Sequence, residues 1–320
     1  MTDDLWDDEE GEEPEPLADL FPGYESRTFS CEGARIFARV GGEGPPLVCL
    51  HGFPQTHVMW HRLAPALATR FTLVLMDLRG YGWSSAPRSD GDNHETYSKR
   101  AMARDVVEVM SDLGHSRFAC LAHDRGARVA YRLGLDQPSR LESLVLLDIL
   151  PTIAMWERIE SDPTFAERAS HWRSLARPAP EPEDAVLSDP QAFLERTLNR
   201  WSASGLGAFD PSALEHYRRP IAVPERVHAM CEDYRAGATL DREADLRDWE
   251  AGRKIACPVR VIWGEAGFPA SATGPLEAWR PFADDLDGEA VPGGHFVAEE
   301  APQATLDAIG RALGQSFGSL

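Results

Sequence analysis

The sequence predicts an α/β protein with a mostly parallel central sheet, helices on both faces and a helical cap insertion. Three observations predict it. Short, almost unbroken apolar runs alternate with helical patterns, as strands buried on both faces of a parallel sheet must. That alternation stops at Pro151 and resumes only at Val259. The stretch Leu121–Arg128 has the form of a strand, a sharp turn and a helix, with small residues two before and two after its central Asp124. Only small neighbours let a strand and helix close around a residue held in a strained conformation.

Taken in order, Met1–Pro16 carries nine Asp or Glu and no Lys or Arg, so residues 1–20 are expected to be an acidic, disordered tail. Residues 21–150 and 250–320 form the expected α/β core, and 151–249 the cap. Arg27–Val40 reads as a hairpin by its alternation, with Gly41-Gly42 closing it. Leu47–Leu50 is a buried strand ending in the permissive turn His51-Gly52-Phe53-Pro54-Gln55. A helix is expected over Trp60–Ala68, a strand over Phe71–Met76 and an amphipathic helix over Tyr97–Leu113. Strands at Arg117–Ala122 and Leu141–Leu147 flank the helix that follows Asp124. Beyond the insertion, with its prolines at 178, 180 and 182, strands return at Val259–Trp263 and Leu286–Val291. A C-terminal helix follows Glu299.

The 320 residues suit one large domain with an insertion or two small ones. A formal net charge of −20 argues against nucleic acid and anionic membranes as partners, both of which need a basic face. No apolar run approaches a membrane span, and the acidic N-terminus is unlike a signal peptide. The five cysteines are scattered and form no CxxC, which fits core thiols in a reducing cytoplasm. No metal cluster emerges, and no cofactor is expected.

Function in such a sheet gathers at the carboxyl ends of the strands. Phe53, Asp124 and Asp148 all fall there. A carboxylate at the turn is a poor base but a competent nucleophile toward polarised carbon. Displacement would leave an ester on Asp124, and water attacking its carbonyl carbon would regenerate the enzyme through a tetrahedral oxyanion. That step needs two aimed N–H groups, here the backbone N–H of Phe53 and of Arg125. It also needs a base, and His295 in the loop Gly293-Gly294-His295-Phe296 follows the last strand. The chain order nucleophile, acid, histidine matches Asp124, Asp148 and His295, and Asp148 is favoured because it ends the strand next to the one that carries Asp124. Glu265, after the Val259–Trp263 strand, is the alternative acid. Arg125 and Arg128, three apart on the first helical turn, can hold a small carboxylate, or else pair with nearby acids.

This combination resembles the fluoroacetate (haloacetate) dehalogenases of the α/β-hydrolase fold. The resemblance runs from about Phe21 to the C-terminal helix. It rests on His51–Gln55, Asp77-Leu78-Arg79-Gly80-Tyr81-Gly82, His123–Arg128, Asp148–Thr152, His171-Trp172, Asp233-Tyr234-Arg235-Ala236-Gly237 and Gly293–Phe296. The first two motifs are shared with epoxide hydrolases; His-Asp-Arg-Gly-x-Arg with His-Trp and Asp-Tyr-Arg-Ala-Gly is more specific. The resemblance implies that Asp124 attacks the halogen-bearing carbon and that Arg125 and Arg128 hold the substrate carboxylate. It implies further that His171, Trp172 and Tyr234 donate to the departing halide, and that His295 with Asp148 activates water. Trp201 matches a cap tryptophan of the family, lining the pocket or merely packing. Relatives are commonly homodimers, although no interface is readable here.

Three departures stand out. Ala122 replaces a usual glycine, Glu265 is an extra acid, and Arg173-Ser174 follow His171-Trp172 where the family continues with large apolar residues. The substrate preference is expected to turn on Arg173. Two rival functions remain. An epoxide hydrolase uses the same nucleophile with two cap tyrosines, for which Tyr217 and Tyr234 are candidates. A ligand receptor on the same fold would lack turnover.

Overall fold

The computed structural model describes residues 16–89, 91, 93–271, 274–315 and 317. The expected acidic tail therefore lies outside the described residues up to residue 15. Among the described residues, eight strands form one sheet in the order β1-β2-β4-β3-β5-β6-β7-β8. They are β1 (Glu25–Cys31), β2 (Ala34–Gly41), β3 (Pro46–Leu50), β4 (Thr72–Met76), β5 (Phe118–His123), β6 (Leu141–Leu147), β7 (Val259–Gly264) and β8 (Leu286–Val291). The β1–β2 and β2–β4 pairings are antiparallel and all others parallel. Registers such as Cys49↔Leu121 and Leu121↔Val145 stack apolar side chains across the centre of the sheet. Every residue of β5 is buried, as a strand covered on both faces requires.

The strand order decides where the site lies. From β3 the chain moves to β4 on one side and later returns to β5 on the other. The two connections diverge at the carboxyl ends of β3 and β5, leaving a crevice there. The turns after Leu50, His123 and Leu147 open into it.

Among the described residues, the α-helices in the first half of the core are α1 (Ala64–Leu67), α2 (Lys99–Asp112) and α3 (Asp124–Asp136). Between β6 and β7 the regular structure of the described residues is all helical. It comprises α4 (Thr152–Ser161), α5 (Pro163–Arg168), α6 (Ser170–Leu175), α7 (Glu181–Leu187), α8 (Pro190–Trp201), α9 (Pro211–Ile221), α10 (Pro224–Ala238) and α11 (Leu240–Glu250), with one 3₁₀ turn at Gly205–Ala208. Helices α12 (Val297–Glu300) and α13 (Pro302–Leu313) end the fold. Buried Trp172, Leu198, Tyr217 and Tyr234 continue the apolar core from the sheet into the inserted helices.

Several boundaries differ from expectation. The hairpin turns at Glu32-Gly33, with Gly33 at φ +75°, and not at Gly41-Gly42. Gly41 still pairs with Leu73, and Gly42 lies so close to the Phe71 carbonyl that a Cβ would sit 2.3 Å from it. The helix expected over Trp60–Ala68 is a 3₁₀ turn at His57–Trp60 and the short α1, restarted at Pro65, whose ring supplies no N–H to continue the earlier turn. Helix α2 begins at Lys99 because the Ser98 hydroxyl caps it, accepting from the Ala101 N–H at 3.2 Å. Pro302 splits the C-terminal helix, forcing Ala301 out of helical geometry.

Candidate active site

The turn between β5 and α3 puts Asp124 at φ +45°, a left-handed conformation rare for a side-chain-bearing residue. Gly126 makes the turn possible: a Cβ there would lie 2.3 Å from the His51 carbonyl oxygen. Opposite, the turn after β3 brings the Phe53 N–H onto Asp124 Oδ1 at 3.0 Å. His51 braces that turn, its Nε2 accepting from the Leu78 N–H at 3.1 Å while its Nδ1 lies 3.0 Å from the Gly52 carbonyl. The Arg125 N–H lies in the first turn of α3, where backbone donors have no intrahelical acceptor.

His295 follows β8 and meets both acids. Its Nδ1 is 2.7 Å from Asp148 Oδ2, and its Nε2 is 3.8 Å from Asp124 Oδ2. Asp148, itself at φ +48°, is held by the Gly264 N–H on Oδ1 at 3.0 Å and buried against Gly267. Glu265 is exposed and does not join them. Burial opposes the imidazolium, but the hydrogen bond and charge of Asp148 and the charge of Asp124 outweigh it and raise the pKa of His295. Asp124 is likewise buried, yet the charges of His295, His123, Arg128 and Arg125 hold its carboxyl below the ordinary value. An ionised carboxylate and a histidine oriented through Nδ1 therefore share one cavity.

The two arginines are not equivalent. Arg125 is fully buried and gives Nε and Nη2 to Asp233 on α10, at 2.9 Å to Oδ2 and 2.8 Å to Oδ1. Asp233 also takes Tyr81 at 2.8 Å and Lys99. Only Nη1 of Arg125 is left without a partner among the described residues. Arg128 lines the cavity beside Asp124 and His171. Its Nη1 donates to the Leu150 carbonyl (3.1 Å) and to Thr152 Oγ1 (3.0 Å), and no carboxylate among the described residues pairs with it. Burial accordingly lowers its pKa. Both guanidiniums meet at the Trp172 ring, 5.4 and 4.4 Å from its centroid.

From the inserted helices, His171 and Trp172 line the cavity, together with Trp201. Tyr234 packs behind them, its ring 5.3 Å from Phe53 and 5.8 Å from His171. Burial among aromatic rings draws the pKa of His171 down to about 3, so it is neutral. Burial, reinforced by the Asp124 charge, keeps the Tyr234 phenol protonated. The Trp201 ring packs at a tilt against His171, its centroid 4.3 Å away, and its carbonyl accepts from the His295 N–H at 2.9 Å. Arg173 does not enter: it is exposed and donates to the Ile159 carbonyl at 2.9 Å. It therefore has no place in the cavity lining through which it was expected to tune the substrate, because successive helical residues point about 100° apart and Trp172 takes the inward direction.

Several residues of the site carried no sequence signal of their own. Asp233 is named by its place before Tyr234, but its grip on Arg125 spans 108 residues. His123 accounts for the histidine loop, its Nε2 lying 2.9 Å from the His295 carbonyl. A buried chain runs from Arg128 through Thr152 and Tyr131, 2.7 Å apart, to Asp245, 2.8 Å beyond. Phe268, which lines the cavity, lies in the loop after β7 that the sequence marked only by Glu265. Among the described residues, no cluster could hold a metal ion and no helix is long and apolar enough to cross a membrane.

The fold and the strained carboxylate at the β5–α3 turn define an α/β hydrolase, and the chain belongs to that family: a model of the alpha/beta hydrolase fold matches residues 45–302. More particularly, it is 44% identical to a fluoroacetate dehalogenase from Burkholderia sp over 89% of this chain and 92% of that one. A soluble epoxide hydrolase from Corynebacterium sp. (strain C12) is 32% identical over 86% and 92%. Among solved structures, an α/β-hydrolase-fold protein from Nostoc sp PCC 7120 superposes with a TM-score of 0.87 at 46% identity, covering 92% of this chain and 99% of its own.

Proposed function

We propose that the protein hydrolyses the carbon–halogen bond of short 2-haloacids such as fluoroacetate or chloroacetate, through an ester on Asp124, giving glycolate and halide. The observation that carries this reading is the nucleophile Asp124 sharing its cavity with Arg128, a buried cation lacking a carboxylate partner among the described residues. A buried cation in that state gains most from an anionic ligand. The Nη1 of Arg125, behind the cavity lining and without a hydrogen-bond partner among the described residues, is the second donor proposed for the substrate carboxylate.

Because Oδ1 of Asp124 is engaged by Phe53, Oδ2 is the attacking oxygen and Oδ1 becomes the ester carbonyl. The C–O bond forms as the carbon–halogen bond breaks, and the halide departs toward His171, Trp172 and Tyr234. Several neutral donors in a dry pocket suit fluoride, whose developing charge needs short hydrogen bonds. His295 Nε2 then takes a proton from water, which attacks the Asp124 carbonyl carbon. The N–H groups of Phe53 and Arg125 hold the oxyanion. Collapse expels the hydroxyacid oxygen, protonated by His295, and restores the Asp124 carboxyl, which ionises. Asp148 holds the imidazole in its useful tautomer, an effect worth about 10⁴ in rate in serine proteases.

Epoxide hydrolysis is the alternative. Against it stands Tyr217, whose hydroxyl is engaged with Glu299 at 3.2 Å and Gln55 at 3.4 Å, leaving Tyr234 as the one candidate tyrosine against the site. Halide release from fluoro-, chloro- and bromoacetate, beside turnover of styrene oxide, separates the two. Epoxide opening without halide release overturns the proposal. In ¹⁸O water a single turnover should label Asp124, and label in the first product would exclude the ester.

A further inference from the structure

The chain's net charge of −20 repels an anionic substrate at long range, so the approach to the cavity is informative. Two openings flank Trp201. A cleft of ≈ 290 Å³ between α6 and α8 is bounded by Phe53, His171, Phe193, Arg196, Arg200 and Trp201. A smaller one of ≈ 150 Å³ lies between Arg168, Arg200, Trp201 and Phe268. His171, Trp201 and Phe268 are shared with the catalytic cavity, so both openings abut it.

The charged groups on these openings are arginines. Arg196 and Arg200, four apart on α8, share a face and are exposed. Among the described residues none of Arg168, Arg196 and Arg200 is ion-paired: Arg200 donates to the Glu167 carbonyl at 3.1 Å and Arg168 lies 5.6 Å from the Phe268 ring centre. The neighbouring acid on α8, Glu195, is occupied by Arg218 at 2.7 Å. The Arg200 charge also reaches inward, adding to the burial that holds His171 neutral.

We propose that the cleft between α6 and α8 is an anion-binding vestibule, in which Arg196 and Arg200, with Arg168 at the adjoining opening, gather small carboxylates and pass them across Trp201 to the catalytic cavity. The proposal rests on the haloacid reading. A local basic patch at the mouth of a cleft focuses the field and raises the local concentration of anions against the opposing net charge. The same patch offers halide and hydroxyacid a way out.

The test is the double variant Arg196→Glu/Arg200→Glu, neither residue being part of the catalytic machinery. Arg35→Glu/Arg70→Glu, which alters net charge equally outside the cleft, is the control. At an ionic strength of about 10 mM, kcat/KM for chloroacetate falls about tenfold in the first variant with kcat retained. The control stays near wild type, and the gap closes by about 0.5 M salt. Equal kcat/KM in the two variants, or a loss that salt does not relieve, overturns the vestibule. Wild-type protein that releases no halide from chloroacetate overturns the haloacid reading itself, a separable result.

Discussion

The inequality of the two arginines gives the most discriminating prediction. Arg128→Gln removes a cation that is 2% exposed and has no carboxylate partner among the described residues; Arg125→Gln removes one locked to Asp233. A hydrogen bond to a charged group contributes about 1.5–3 kcal/mol, so Arg128→Gln should raise KM for chloroacetate roughly 10- to 150-fold. The carboxylate contact is the same in ground and transition states, so kcat should change little. Stability should move by only about 1 kcal/mol, because relief from burying an unpaired charge offsets the lost bonds to Leu150 and Thr152. Arg125→Gln strips Asp233 of its main partner, leaving Lys99 and Tyr81, and should cost about 3 kcal/mol of stability. Steady-state halide release and denaturant unfolding measure both variants. Indistinguishable variants on both readouts, or an Arg128→Gln protein that unfolds with KM unchanged, would refute the reasoning.

Other outcomes follow from the same geometry. His295→Ala should trap the ester as a mass increase on the Asp124 peptide under saturating bromoacetate; an unmodified peptide counts against covalent catalysis. In the proposed mechanism the neutral imidazole is the base and Asp148 raises its pKa, so ester hydrolysis should accelerate with pH through a value above 6.5. Asp148→Asn should slow it by about 10⁴ and shift that rise to lower pH, whereas exposed Glu265→Gln should leave the rate and its profile alone. Burial pushes Asp245 up to about 7, so the folded chain holds a proton that the unfolded chain loses near pH 4. Its contribution is therefore present below pH 4 and is lost as pH rises to 7. Asp245→Asn, whose amide oxygen can take over the bonds from Tyr131 and Ile153 at Oδ2, should gain on the order of 1 kcal/mol over wild type between pH 5 and 8 in urea unfolding. A gain that does not grow with pH would contradict this account.

Much of the fold was legible because burial on both faces leaves a largely apolar run: β6 falls where its pattern places it, and β3–β5 within a residue, while the half-exposed edge strand β8 also begins and ends as expected. The split of Trp60–Ala68 was less legible, since the apolar pattern continues across the point where Pro65 ends the hydrogen-bond ladder. In the site, the spacing of Ala122, Asp124 and Gly126 reports a steric need of the backbone itself, as the 2.3 Å approach at Gly126 confirms.

By itself the sequence determined the class of architecture, the residue at the turn and the histidine loop, because each follows from local sterics and from burial patterns of a few residues. Tertiary structure alone decided that Asp148 and not Glu265 meets His295, that Asp233 occupies Arg125 while Arg128 has no carboxylate partner among the described residues, and that Arg173 faces outward. These are contacts between segments as many as 147 residues apart. Charge and hydrogen bonding depend on distance and direction in space, and a linear pattern records neither.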